Sequence, residues 1–284
     1  MSGDLLQGSH SPQLISPQPL LGPGDGPAFS LLNEHSNAPL VLVCDHASNA
    51  IPKSLNQLGL GDESLVQHVA LDIGAAAVTR KVAEILGLCA VFCGYSRLVI
   101  DCNRYLADPS SFNEISDTTV VPGNLGLSEQ DKAARIAEIR DPYHAAIERV
   151  LQARSDGVKS AGMISIHSFT PRMDGFARPW HVGVLWDRDE RFALPLLEHF
   201  ANDPAMCVGD NLPYSGRHPA DYTIDHHGER QGRPCASLEI RQDLLLEESQ
   251  QDFWARHIAD GLKDLLVQPD LFVKRGVESS ERHE

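Results

Sequence analysis

Several residue types able to hold a metal or move a proton stand at the ends of apolar runs in this chain. The stretch "PLVLVCDHASNAIP", residues 39–52, places Asp45 and His46 directly behind a buried-type run and closes it with Pro52. His167 ends "GMISIH", Asp187 follows "HVGVLW", Glu239 lies inside "CASLEIRQDL", and Asn103 and Arg104 close "RLVIDCNR". In open parallel sheets, ligands bind beyond the carboxyl ends of the strands. Strand ends that repeatedly carry His, Glu, Asn or Arg therefore describe one shared rim. Two histidines and a carboxylate, with one position left open, are the usual ligands of a catalytic zinc ion. Such an ion lowers the pKa of its water to near neutrality and polarises a carbonyl. His46 and His167 supply the nitrogens in this reading. Asp72, in "QHVALDIGA", is the expected carboxylate, with Asp45 and His68 as competitors. Neither HExxH nor HxxEH occurs, so spacing alone does not name the site.

A hydrolase also needs a base. Glu239, surrounded by apolar residues, gains a raised pKa on partial burial, which suits that role. The alternative is an ion pair with Arg241 or another arginine. Arg97 and Arg104 offer forked donors that grip a carboxylate through two hydrogen bonds; the alternative there is pairing with Asp101 or Asp108.

The elements that must position these groups follow from periodicity. Strands are expected at 40–44, 90–93, 97–101, 162–166, 181–186 and 235–240, and helices at 63–86, 128–155, 190–202 and 246–266. In the first helix Leu65, Val69, Ile73, Ala76, Ala77 and Val82 fall close to one stripe. Ser128, with Asp131 nearby, is an expected N-cap of the second, which Pro142 should kink or split. Near-continuous apolar strands separated by helices predict an α/β fold, a single domain with a mostly parallel or mixed twisted sheet covered by helices on both faces. Residues 1–28, rich in Pro, Gly and Ser, are expected to form a flexible or draped arm, 29–270 the domain and 271–284 a charged tail. The aperiodic stretch 203–234 is long enough for a functional loop.

Composition bounds the partners. The 284 residues carry a formal charge of −15, which argues against nucleic acid, and no basic amphipathic segment points to a membrane surface. No apolar run approaches the ~20 residues that span a bilayer, and no secretory signal opens the chain. Six cysteines without metal spacing fit reduced thiols in a cytoplasmic protein; Cys44, inside a buried run, is poorly placed as a nucleophile.

"VCDHASNAIP", "YSRLVIDCNR", "ISIHSFTP", "NLPYSG" and "LEIRQDL", in this order over about residues 38–262, resemble the N-formylglutamate amidohydrolase family. The resemblance implies an architecture similar to zinc carboxypeptidases and aspartoacylases, and one divalent metal ion, zinc, in a hydrolytic site. It also implies His46 and His167 as ligands, Asn103 and Arg104 gripping a substrate carboxylate, and Glu239 as base. His227, matched ahead of His226, would orient substrate or stabilise an oxyanion. Tyr214 either lines the pocket or packs in its loop. Two departures stand out. Zinc carboxypeptidases carry glutamate three residues after the first histidine, where this chain has Asn49, and "CDHASNAIP" replaces the "PHSG" form of the histidine-degradation enzyme. The implied reaction is hydrolysis of a small N-acyl amino acid, N-formyl-L-glutamate foremost. A carboxypeptidase-like or other deacylase, or a pocket that binds without catalysis, are the alternatives.

Overall fold

The computed structural model describes residues 19–156 and 158–276; residues 1–18 of the expected arm and 277–284 of the expected tail lie outside them. The strands are β1 Phe29–Leu32, β2 Leu40–Cys44, β3 Cys89–Cys93, β4 Ile115–Ser116, β5 Thr119–Val120, β6 Gly162–Phe169, β7 Arg172–Met173, β8 Phe176–Ala177, β9 Val182–Leu185, β10 Val208–Asp210 and β11 Cys235–Arg241. The α-helices are α1 Asp62–Leu65, α2 Ala75–Leu86, α3 Glu129–Arg135, α4 Asp141–Ala153, α5 Glu190–Ala201, α6 Tyr222–His227 and α7 Glu248–Leu266.

Seven strands form one mixed sheet in the order β1-β3-β2-β6-β11-β9-β10, while β4-β5 and β7-β8 are separate hairpins. The centre, β3-β2-β6-β11, is parallel; β1 joins β3 and β9 joins β11 antiparallel. The central strands are apolar on both faces because both faces are covered. Leu40, Leu42, Ile164, Ile166, Leu238 and Ile240 pack against α2, α5 and α7, whereas Val41, Val43 and Met163 pack against α4 through Tyr143, Ile147 and Val150. Each fully buried aliphatic side chain of this kind contributes roughly 1.5–3 kcal/mol of transfer free energy. Leu20 packs into the second cluster, and the Leu20 and Leu21 N–H groups donate to Glu138 at 2.8 and 2.9 Å.

Three expected elements take a different form. Residues 97–101 are not a strand but a buried turn segment, held by Val99 N–H to Ser96 O (2.9 Å) and Asp101 N–H to Ser111 O (2.9 Å). A short apolar run reports burial and does not by itself distinguish a strand from a packed loop. The helix expected over 63–86 is broken between α1 and α2. Gly74, at φ +79°, caps α2 in the left-handed region, and a Cβ there would stand 2.4 Å from Leu245 Cβ. The break releases Asp72 from a helix into a turn. Conversely, Pro142 does not split the helix over 129–153. A π-helical turn, Ile136–Arg140, precedes α4, so Pro142 falls in the first turn of α4, where its missing N–H leaves little unsatisfied. Ser128 caps α3 in a capping box with Asp131. β1 and β10, both short edge strands, carried no strong periodic signal. All six cysteines are free and five are buried.

Candidate active site

Three neighbouring parallel strands deliver the chemistry to one end of the sheet. His46 lies two residues past β2, and the β6–β11 register sets His167 beside Glu239. On this face the same alternation that buries Met163 turns Ser165 and His167 inward, above the α4 layer. Asp72 comes from the turn before α2, fastened by its own N–H to His46 O at 3.1 Å.

His46, Asp72 and His167 are all buried, and each offers a ligand atom within 4.8 Å of the others. Asp72 Oδ2 lies 3.2 Å from His46 Nδ1 and 2.8 Å from His167 Nδ1. The outward nitrogens are held separately. His46 Nε2 lies 2.8 Å from Asp101 Oδ1, and His167 Nε2 lies 3.1 Å from Asp45 Oδ2 and 2.9 Å from Ser165 Oγ. With each Nε2–H donated to a carboxylate, loss of the Nδ1 proton would turn that lone pair toward the other imidazole and Asp72, the arrangement that orients metal-binding histidines. Asp45 is thus not at the ligand position but behind it. Tyr143 and Thr223 hydroxyls donate to its Oδ1 (2.9 and 2.7 Å) and Ser165 donates to its Oδ2 (2.9 Å).

The electrostatics follow from this packing. Burial and Arg97 pull the His46 pKa down, but Asp101 and Asp72 outweigh them and leave it raised. Burial likewise opposes protonation of His167, yet Asp45 and Asp72 lift it well above the ordinary imidazole value. Asp72 is held well below the carboxylate range: its burial is outweighed by the two histidines. The donor set of two imidazoles and one carboxylate, converging and individually braced, fits a divalent cation such as zinc.

Glu239, the base expected from the sequence, lies beside His167. Burial pushes its carboxyl up to about 7, and its Oε2 is buried with no hydrogen-bond partner among the described residues. No arginine pairs with it among the described residues, and Arg241 is committed to Asp243 at 2.7 Å. A buried, unsatisfied oxygen carries a cost that a ligand's proton or hydrogen bond removes.

A cavity of about 300 Å³ is lined by His46, Asp72, His167 and Glu239, and also by Asn103, Arg104, Arg97, Tyr214, His68 and Asp221. Their environments differ. Arg97 spends its terminal nitrogens on Asp72 (3.3 Å) and Asp101 (2.9 Å), so it clamps the carboxylates around His46 and is not a free fork. Arg104 donates only to backbone carbonyls, Asn103 O at 3.0 Å and Ala220 O at 2.9 Å, and pairs with no carboxylate among the described residues. Asn103 receives the Thr223 N–H on its Oδ1 at 2.8 Å, and its NH2 group has no hydrogen-bond partner among the described residues. His68 sits 3.8 Å from Asp72 Oδ1 beside the ligand set, and burial lowers its pKa to about 4. Asn49, at the position of the carboxypeptidase glutamate, donates to Leu65 O at 2.9 Å and takes no part.

His227 is placed elsewhere. It is the buried last residue of α6, 3.0 Å from His144 Nδ1 and 3.3 Å from Glu148 on α4, and does not line the cavity. It braces α6 against α4. Sequence reasoning named Asp101 only as a pairing partner of the arginines, which it is for Arg97, and missed its contact with His46; it missed Asp221 altogether. Asp101 sits in the segment taken for a strand, and Asp221 caps α6 in the aperiodic stretch, where burial raises its pKa.

This geometry coincides with a match to the N-formylglutamate amidohydrolase family over residues 38–246. The chain belongs to that family. Membership makes it a hydrolase of linear, non-peptide amides. A solved gene product of Agrobacterium tumefaciens, Atu2144, is 32% identical with a TM-score of 0.83, the alignment covering 88% of this chain and 99% of that one. An N-formylglutamate amidohydrolase from Ralstonia eutropha JMP134 shares the fold at 20% identity and a TM-score of 0.59, covering 85% of this chain and 98% of that one. No curated protein matches the chain. No helix among the described residues is long and apolar enough to cross a membrane.

Proposed function

We propose that this amidohydrolase is metal-dependent and cleaves a small N-acyl amino acid, N-formyl-L-glutamate to formate and L-glutamate. The observation that carries the reading is the convergence of His46, Asp72 and His167 beside Glu239, whose Oε2 is buried without a partner. A divalent ion held by the three ligands would supply Lewis acidity and an acidified water. The chain's own residues do the rest. Glu239, with a pKa near 7, takes one proton from the attacking water and passes it to the amide nitrogen as the C–N bond breaks. Asn103 and Arg104 hold the substrate α-carboxylate, a role supported by a guanidinium on the cavity wall with no carboxylate of its own. Water and the formyl amide thus yield formate and a free amine.

The direct test is formate release from N-formyl-L-glutamate by zinc-loaded protein, set beside acetyl and peptidyl substrates. Arg104→Ala should raise KM by about 10- to 100-fold, the loss of a charge-assisted fork, with kcat much less affected. An unchanged KM would remove Arg104 from the substrate site.

Asp45 should matter through His167. Asp45→Asn keeps the shape but removes the negative acceptor of Nε2–H, and zinc affinity should fall about 10- to 100-fold by competition with a chelating dye. Equal affinity in the variant would show that Asp45 only fills space.

A further inference from the structure

We propose that Arg178 is a specificity-determining residue that grips a second, side-chain carboxylate of the substrate, which makes the enzyme selective for N-acyl dicarboxylic amino acids. The inference rests on the amidohydrolase reading above and deepens it.

Arg178 follows the β7-β8 hairpin and is 7% exposed. A charge so buried is stable when paired or fully hydrogen-bonded. Of the other buried arginines, Arg140 lies 3.8 Å from Asp141 and 4.3 Å from the Tyr222 ring centroid. Arg191 pairs with Asp189 and Arg233 with Glu148. Arg135 has no carboxylate but gives its terminal nitrogens to three oxygens, those of Val99 O, Asn124 Oδ1 and Gly123 O. Arg178 differs. Its Nη1 donates to Tyr214 Oη at 3.0 Å and more weakly to Thr170 Oγ1 and O at 3.3 and 3.4 Å. Its Nη2 meets only the thioether of Met173, a poor acceptor. No carboxylate pairs with it among the described residues.

Arg178 is not itself on the wall of the active cavity, but Thr170, Met173 and Tyr214, which its terminal nitrogens meet, all line it. Met173 is 39% exposed and flexible by nature, so a ligand oxygen can take the place of its sulfur at Nη2. The guanidinium carbon lies 4.8 Å from the Tyr214 ring centroid and 5.7 Å from that of Phe169, two cation–π contacts that restrain the group. A fork held still in this way loses little entropy on gripping a carboxylate. With Arg97 consumed by Asp72 and Asp101, the cavity has Arg104 for one carboxylate and Arg178 behind a displaceable thioether for another.

The test compares N-formyl-L-glutamate with its neutral isostere N-formyl-L-glutamine on the zinc-loaded enzyme. The wild type should prefer the dicarboxylate by about 10- to 100-fold in kcat/KM, the effect of one charge-assisted pair. Arg178→Met should erase that preference through KM for the glutamate form, and leave kinetics on the glutamine form within about 2-fold. Arg178→Lys, which keeps the charge but not the fork, should restore part of it. Calorimetric binding of the products, L-glutamate against L-glutamine, should show the same ratio and its loss in Arg178→Met. Absence of formate from both substrates would overturn the proposed reaction while the product-binding ratio still judged Arg178. Three results would overturn the proposal: a wild type that treats the two ligands alike, an Arg178→Met that keeps the preference, or one that loses both substrates in parallel. Should Arg178→Met not fold, the wild-type ratio and the ratio in Tyr214→Phe, expected to shrink, decide the matter.

Discussion

Glu239→Gln should lower kcat by about 10³-fold, within the 10²- to 10⁴-fold range of a positioned general base, while KM stays close to that of the parent. The substitution is isosteric, and the carboxyl it replaces is unpaired at Oε2, so folding should survive; a melting curve checks this. The pH profile supplies an independent reading. A base must be ionised to accept a proton, and burial holds Glu239 up near 7, so kcat/KM of the parent should climb with an acid limb at or below that value, a bound cation pulling it lower. The residual activity of Glu239→Gln should lack this limb. A variant that kept full turnover would remove Glu239 from proton transfer.

The second large effect concerns the ligands. His167→Ala and Asp72→Asn should each take the protein from about one zinc ion per chain to none measurable after dialysis, and formate release should vanish with it. Chelation of the parent should do the same, with activity restored by added zinc. The sign of the pH dependence follows from the raised pKa values of His46 and His167 in the metal-free protein. Those imidazoles hold protons that a cation must displace, so zinc binding should release protons and weaken as pH falls. Calorimetry in buffers of different ionisation enthalpy counts the protons. Proton-independent binding would show that the two histidines are not the ligands.

Much of this site was readable from residue order. His46, His167 and Glu239 each end or interrupt an apolar run, and a parallel sheet brings the ends of β2, β6 and β11 together whatever the loops do. Ligand and base positions on strands therefore carried a signal. Asp72 was reachable only as one carboxylate among several, because the left-handed Gly74 that frees it from a helix is a backbone event with no periodic signature. Asp221 and the contact of Asp101 with His46 stayed hidden for a related reason: both residues act from irregular segments, where polar residues are common and burial is set by distant contacts. Arg97 was visible with Asp101 as an alternative partner, but its second contact, with Asp72, depended on a turn that apolarity had disguised as a strand. His227 carried the opposite error, since a histidine next to the last strand gives no hint of which layer it will enter.

The pairing of Glu239 with His167 on adjacent hydrogen-bonded strands has a consequence for how such an enzyme can change. Sheet spacing of about 4.8 Å fixes the separation of the Glu239 and His167 backbones, the proposed base and ligand, and does not drift when surface segments are remodelled. The outer wall of the cavity, by contrast, is drawn from the β7-β8 hairpin and the stretch that carries Tyr214, where the proposed selectivity would reside. Exchanging those two segments for shorter or differently charged ones should redirect the enzyme to other acyl donors and leave its bond-breaking apparatus in place.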